Sequence, residues 1–91
     1  MATVAVQHTV EDFDSWRVAF DDHGATRKEH GCTGETVLRD QENTNRVLVL
    51  TQWPSMKEAH AFASDPSLAE AMKKAGVVGP PRIEFYETAA V

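Results

Sequence analysis

Two histidines carry the strongest chemical signal in the chain. His8 continues the parity of Val4 and Val6 in an alternating stretch over residues 3–9, while His23 continues the three- and four-residue recurrence of Phe13, Trp16 and Phe20. Both positions fall on the apolar side of their element, so both imidazoles are expected to point inward, within a hydrogen bond or one water of each other. Imidazole titrates closest to neutrality, so such a pair in an apolar pocket can take a proton from an acidic phenol or β-dicarbonyl and return it elsewhere. The competing expectation is a pair of core histidines, each held by a backbone carbonyl or a carboxylate. A further alternative makes them two metal ligands with Glu35 or Glu84 as a third, although neither His-x-His nor His-x-x-x-His spacing occurs.

Trp16, Phe20, Trp53 and Phe62, with Met72 and Phe85, are candidate walls of an aromatic-binding cavity. Aromatics at helical spacing serve equally well as plain core. Trp53 ends an aliphatic run just before Pro54, which predicts a place at the cavity rim. Arg27 lies one turn beyond His23 and can pair with a substrate carboxylate or enolate, or with Glu35. Tyr86, near a strand end, is a candidate ligand contact or interface residue. His30 is expected at a helix C-terminus, His60 at the surface, and Cys32 has no evident activating base.

These residues need elements to hold them. A strand over residues 3–9 precedes a helix over 12–30, with Asp12 as N-cap and Gly31 as its stop. Residues 33–39 and 46–53 read as a hairpin joined by the turn-forming cluster Asp40-Gln41-Glu42-Asn43-Thr44-Asn45. Beyond Pro54, Ser55 and Glu58 form an S-x-x-E capping box that opens a second helix ending near Ser64. Asp65 caps a third, short helix with Pro66 at its first position, Leu68, Met72 and Ala75 on one face, and Gly76 as its stop. Residues 77–81 read as a connector and residues 82–87 as a last strand.

The order β-α-β-β-α(α)-β predicts an α+β, ferredoxin-like split βαβ domain: a four-stranded antiparallel sheet with its helices on one face. The third strand has Val47 and Val49 on one side and Leu48 and Leu50 on the other, so it expects cover on both faces. With no further helix to supply that cover, a homodimer packed sheet to sheet is the expected partner arrangement.

At 91 residues the chain fits a single domain over 1–91, able to bury roughly 64% of its extended surface. Apolar residues are 42% and charged residues 25% of the chain, which argues against disorder. The net charge is −5 and the basic residues are scattered apart from Arg27-Lys28 and Lys73-Lys74, so no nucleic-acid partner is expected. The longest aliphatic run, Val47 to Leu50, is far too short to span a membrane. The first residues show no signal peptide, and the lone Cys32 forms no intrachain disulfide, so a cytoplasmic location is expected. The sequence has no G-x-G-x-x-G, G-x-S-x-G or Walker-type loop, so no cofactor is expected.

Three stretches carry a family resemblance: Val10-Glu11-Asp12-Phe13-Asp14-Ser15-Trp16, Val47-Leu48-Val49-Leu50-Thr51-Gln52-Trp53-Pro54-Ser55, and Ala61-Phe62-Ala63-Ser64-Asp65-Pro66-Ser67-Leu68. Together they resemble the dimeric α/β-barrel superfamily, and more narrowly its antibiotic-biosynthesis-monooxygenase-like and small polyketide-cyclase-like domains. The resemblance implies a ligand cavity between sheet and helices and a cofactor-independent monooxygenase or cyclase acting on a small hydrophobic, phenolic or polyketide-type molecule. His8 and His23 would then be catalytic, and Trp16, Phe20, Arg27, Trp53, Phe62 and Tyr86 substrate-binding. A non-catalytic ligand-binding or structural homodimer is the alternative. Haem-degrading relatives use an Asn, Trp and His constellation; Trp53 matches by position only, and no strand supplies the Asn.

Overall fold

A computed structural model of the chain describes residues 1–89. The alternating first segment forms strand β1, Ala2–Val10. Asp12 caps helix α1, Phe13–Asp22, its carboxylate accepting from the Ser15 N–H at 3.0 Å. The helix expected over 12–30 is broken. His23 leaves helical geometry at φ −84° and ψ 0°, and a short helix α2, Gly24–Glu29, follows it. Gly24 lowers the cost of the break, and Arg27 reaches back so that its Nη2 donates to the Phe20 carbonyl at 2.8 Å, satisfying an acceptor at the end of α1.

Strands β2, Gly34–Arg39, and β3, Arg46–Trp53, form the expected hairpin. Its turn is held by Asp40, whose Oδ1 accepts from the Glu42 and Asn43 N–H groups at 2.8 and 3.0 Å. Helix α3, Met56–Ala63, starts after Ser55, but the Ser55 hydroxyl bonds the Glu58 carboxylate instead of a backbone N–H, so the capping box is only partly formed. Helix α4, Pro66–Lys74, is capped by Asp65, which accepts from the Ser67 N–H at 2.9 Å. Gly76 ends the turn after it at φ +82°, a conformation that a side chain would strain.

Strand β4 runs Val77–Glu87, so the residues expected to be a connector are strand. The prolines hid it. Pairing with β1 shifts register between Gln7, opposite Arg82, and Thr9, opposite Val78: four steps along β4 pass two along β1. This bulge contains Gly79 at φ +74°, followed by Pro80 and Pro81, whose missing N–H groups suit an irregular edge. His8 sits opposite it, with no Cα partner on β4 and Val47 as its partner on β3.

The strand order is β2-β3-β1-β4 with every neighbouring pair antiparallel. This is the expected α+β, ferredoxin-like sheet. Ala2, Val4, Val6, His8 and Val10 of β1, with Val47, Val49, Thr51 and Trp53 of β3, form its buried parity beneath the helices. The apolar part divides in two. One cluster gathers Ala2, Val4, Val6, Trp53, Ala59 and Phe62; the other gathers Val10, Trp16, Val47 and Val49. Each fully buried aliphatic or aromatic side chain contributes about 1.5–3 kcal/mol. On the opposite face Leu48 and Leu50 are half-buried, and Leu38 and Tyr86 are exposed. Among the described residues no helix is long and apolar enough to cross a membrane.

Candidate active site

Between the two apolar clusters lies a cavity of about 60 Å³. Its floor is the sheet, through Val6, His8, Val49 and Thr51. One wall is α1 and α2, through Trp16, Phe20, His23 and Arg27; the other is α3 and α4, through Phe62, Leu68 and Met72. His8 is there because strand parity turns it inward and the bulge leaves it without a β4 neighbour. His23 is there because the helix break at its own position aims it between the two helical layers.

His8 is only 7% exposed, and its ring meets Trp16 edge-on with centroids 5.6 Å apart. Both of its ring nitrogens, and Nε2 of His23, are buried without a hydrogen-bond partner. The two imidazoles therefore share one cavity but are not hydrogen-bonded to each other, which corrects the closest form of the expected pairing. Neither buried edge is held by a carbonyl or carboxylate, as the core-histidine expectation required. Burial depresses the pKa of His8; at His23 burial acts first and the Arg27 cation adds to it, with Asp65 opposing. Burial thus favours the neutral form of both rings.

Arg27 faces this cavity with its Nε and Nη2 already hydrogen-bonded. It is 4% exposed, its Nε donates to Glu35, and its guanidinium lies 3.7 Å from the centroid of the Phe20 ring. Of the two partners the sequence offered it, Glu35 is the one in contact.

Trp16, Phe20 and Phe62 line the cavity as expected. Trp53 does not. It is 0% exposed, stacked on Phe62 at 4.7 Å, and its Nε1 donates to the Thr51 hydroxyl at 2.9 Å. The strand end that suggested a rim is roofed by Ala59 and Phe62 of α3, which makes Trp53 the centre of a core cluster. Tyr86 is also away from the site: it pairs with Thr3 on the opposite parity of the sheet and is 52% exposed. Glu84 shares that parity through Ala5, and Glu35 is held by Arg27, so neither supplies a third ligand beside the histidines. Among the described residues no three His, Cys, Asp or Glu side chains gather as a metal site. His30 caps α2 and bonds Asp65 at 2.8 Å, exposed His60 stacks on Phe85 at 4.1 Å, and the Cys32 thiol donates to the Gly34 carbonyl at 3.3 Å.

Sequence reasoning missed Thr51, Ala19 and Ala71 as lining residues. The signal for Thr51 was the parity of Val47 and Val49; the alanines carry none. Outside the cavity, between α1, α2 and α4, opens a second hollow of about 420 Å³ that shares Ala19, His23 and Ala71 with it. His23 thus stands where the two hollows meet.

The family model described as antibiotic biosynthesis monooxygenase matches residues 1–74. Solved structures agree in fold. A Bordetella bronchiseptica protein proposed to be an antibiotic biosynthesis monooxygenase superposes with a TM-score of 0.79 at 14% identity, covering 98% of this chain and 97% of its own. SnoaB, a cofactor-independent oxygenase from Streptomyces nogalater, also gives 0.79 at 14% identity, over 99% of this chain and 94% of its own. A Deinococcus radiodurans protein proposed to be an antibiotic biosynthesis monooxygenase gives 0.73 at 20% identity, over 100% and 95%. No curated protein matches the chain.

Proposed function

Because the chain belongs to the antibiotic biosynthesis monooxygenase family, we propose that it is a cofactor-independent monooxygenase acting on a small phenolic or polyketide-type molecule, with His8 and His23 as its proton-handling groups. The observation that carries this reading is the set of three buried imidazole nitrogens without partners in a cavity whose other walls are apolar save for Thr51 and Arg27. A buried nitrogen gains about 1–3 kcal/mol when a partner is supplied, so a ligand that brings hydroxyl groups to this cavity is favoured there.

In the proposed reaction a neutral imidazole takes the phenolic proton, and the electron-rich phenolate passes one electron to O₂. Superoxide and the phenoxyl radical combine at a ring carbon as a peroxide. The outer peroxide oxygen gains the proton that this carbon loses, and cleavage of the O–O bond leaves a carbonyl; the departing hydroxide takes the imidazolium proton and becomes water. The sum is phenol plus O₂ giving quinone plus water. The low-polarity walls keep bulk water from the peroxide.

The cyclase version needs a free donor for an enolate oxygen. Arg27 is the natural one, although its Nε already goes to Glu35 and its Nη2 to the Phe20 carbonyl. A cavity of 60 Å³ is below the roughly 150 Å³ that holds benzene in an engineered protein core, so a ring must displace Met72 or Leu68, and an unbranched Met adapts readily. For a partner we propose a second copy of the chain, packed on the Leu48 and Leu50 face of the sheet.

Incubation with naphthols, anthrones and polyketide mimics, with O₂ uptake and product mass recorded together, tests the reading. Uptake of one O₂ per product, with a mass gain of one oxygen less two hydrogens, is expected. Saturable binding without O₂ uptake would replace it with the non-catalytic binding dimer.

A further inference from the structure

We infer that the hollow between α1, α2 and α4 is a polar subsite continuous with the inner cavity, and that the ligand is bipartite: an aryl ring inside and a neutral, hydroxyl-bearing arm outside. This deepens the preceding proposal and rests on the inner cavity being a binding compartment. The two hollows share Ala19 of α1 and Ala71 of α4, and we place the neck that joins them at these one-carbon side chains. The third shared residue, His23, has its Nε2 buried and unpartnered, so a ligand crossing the neck passes an unused hydrogen-bonding atom.

Chemistry differs sharply on the two sides of the neck. Inside, the walls are aromatic and aliphatic apart from the imidazoles, Thr51, whose hydroxyl already accepts from Trp53, and the engaged Arg27. Outside stand Asp22, Thr26, Ser67, Glu70 and Lys74. The Ser67 hydroxyl is buried against the Asp65 carboxylate. Two carboxylates against one ammonium make the outer hollow a poor host for an anion, because an incoming carboxylate meets a net like charge. A diol suits it better. Its hydroxyls donate to Asp22 and Glu70 and accept from Lys74, and hydrogen bonds to charged groups are the stronger kind.

Three probes that share a ring and differ in the arm test this by titration calorimetry on the intact protein: phenol, 3-phenoxypropane-1,2-diol and phenoxyacetate. The diol is expected to bind about tenfold more tightly than phenol, the gain from about 1.4 kcal/mol of net hydrogen bonding, and phenoxyacetate more weakly than phenol. Replacing the exposed Asp22 and Glu70 (Asp22→Asn with Glu70→Ala) should erase the advantage of the diol and relieve the penalty on phenoxyacetate, with circular dichroism unchanged. Equal binding of diol and phenol, a preference for phenoxyacetate, or no saturable binding of any probe would overturn the inference. The wild-type comparison stands even if the double variant fails to fold. Selectivity for the diol without O₂ uptake on any phenol would sink the oxygenase and leave the subsite; turnover without selectivity would do the reverse.

Discussion

The guanidinium of Arg27 lies 3.7 Å from the centroid of the Phe20 ring and also donates to the Phe20 carbonyl at 2.8 Å, so one residue holds both the face and an edge of the same cation. Its Nε goes to Glu35, which joins the helical layer to the edge strand β2. The burial of the two partners is unequal: the Arg27 side chain is 5% exposed and that of Glu35 37%.

That inequality gives a directional prediction. Glu35→Ala leaves a buried cation without its carboxylate and should cost about 3 kcal/mol, whereas Arg27→Met leaves no buried charge and loses chiefly the hydrogen bond to the Phe20 carbonyl, at about 1–2 kcal/mol. Urea unfolding of both variants measures the difference. Equal losses, or a larger loss for Arg27→Met, would mean that stacking on Phe20 outweighs the ion pair.

His8→Ala and His23→Ala should each lower turnover by roughly 10²-fold or more, and the double variant should be scarcely worse than the poorer single, since groups acting as one unit are not additive. Because neither buried edge has a hydrogen bond to lose, stability should change little beyond the cost of the cavity. Turnover per folded molecule, measured beside the melting curve, checks this. Unaltered turnover with a large loss of stability would return both residues to the core.

Burial lowers both histidine pKa values, so the sign of the pH dependence is fixed. The base must be neutral, and turnover should therefore rise with pH through a midpoint below about 6.5, the ordinary histidine value, and then level off. The unfolded chain binds protons that the folded chain refuses as pH falls below about 6.5, so stability from this source is complete above that pH and is lost toward the lowered folded pKa. His8→Phe should flatten the fall in Tm between about pH 7 and 5 relative to the parent protein. A steeper fall in the variant would contradict the assignment.

Leu48→Glu or Leu50→Glu should yield monomers if that face of the sheet meets a second copy, because two charges would be buried across the symmetry axis. Light scattering on the parent protein and on both variants decides. A parent that stays near 10.1 kDa at micromolar concentration would remove the dimer.

Strand parity and helix caps were legible because each is a local rule. Val4, Val6 and His8 share a face by alternation alone, and Asp12 and Asp65 cap the helices their positions suggested. What was not legible depended on tertiary partners. The break at His23 needed Arg27 to take the Phe20 carbonyl from seven residues away. Trp53 read as a rim residue because the chain turns at Pro54, and only the return of α3 over it makes it core. Residues 77–81 read as a connector, although β4 runs through them by giving up regular register with β1 beside His8. That stretch lies beside His8 on an edge strand, and sheet edges are among the places where bulges are over-represented.

The same bulge bears on how the molecule meets others of its kind. An open sheet invites growth along its two outer strands, because their unpaired N–H and C=O groups template a neighbour. On β4 two successive prolines withhold donors, and Gly79 breaks the regular extended conformation beside them. A foreign strand aligned there would find a gap in the ladder where it needs continuous pairing. The irregularity that frees His8 from a β4 neighbour thereby also protects that margin of the sheet from fibrillar stacking.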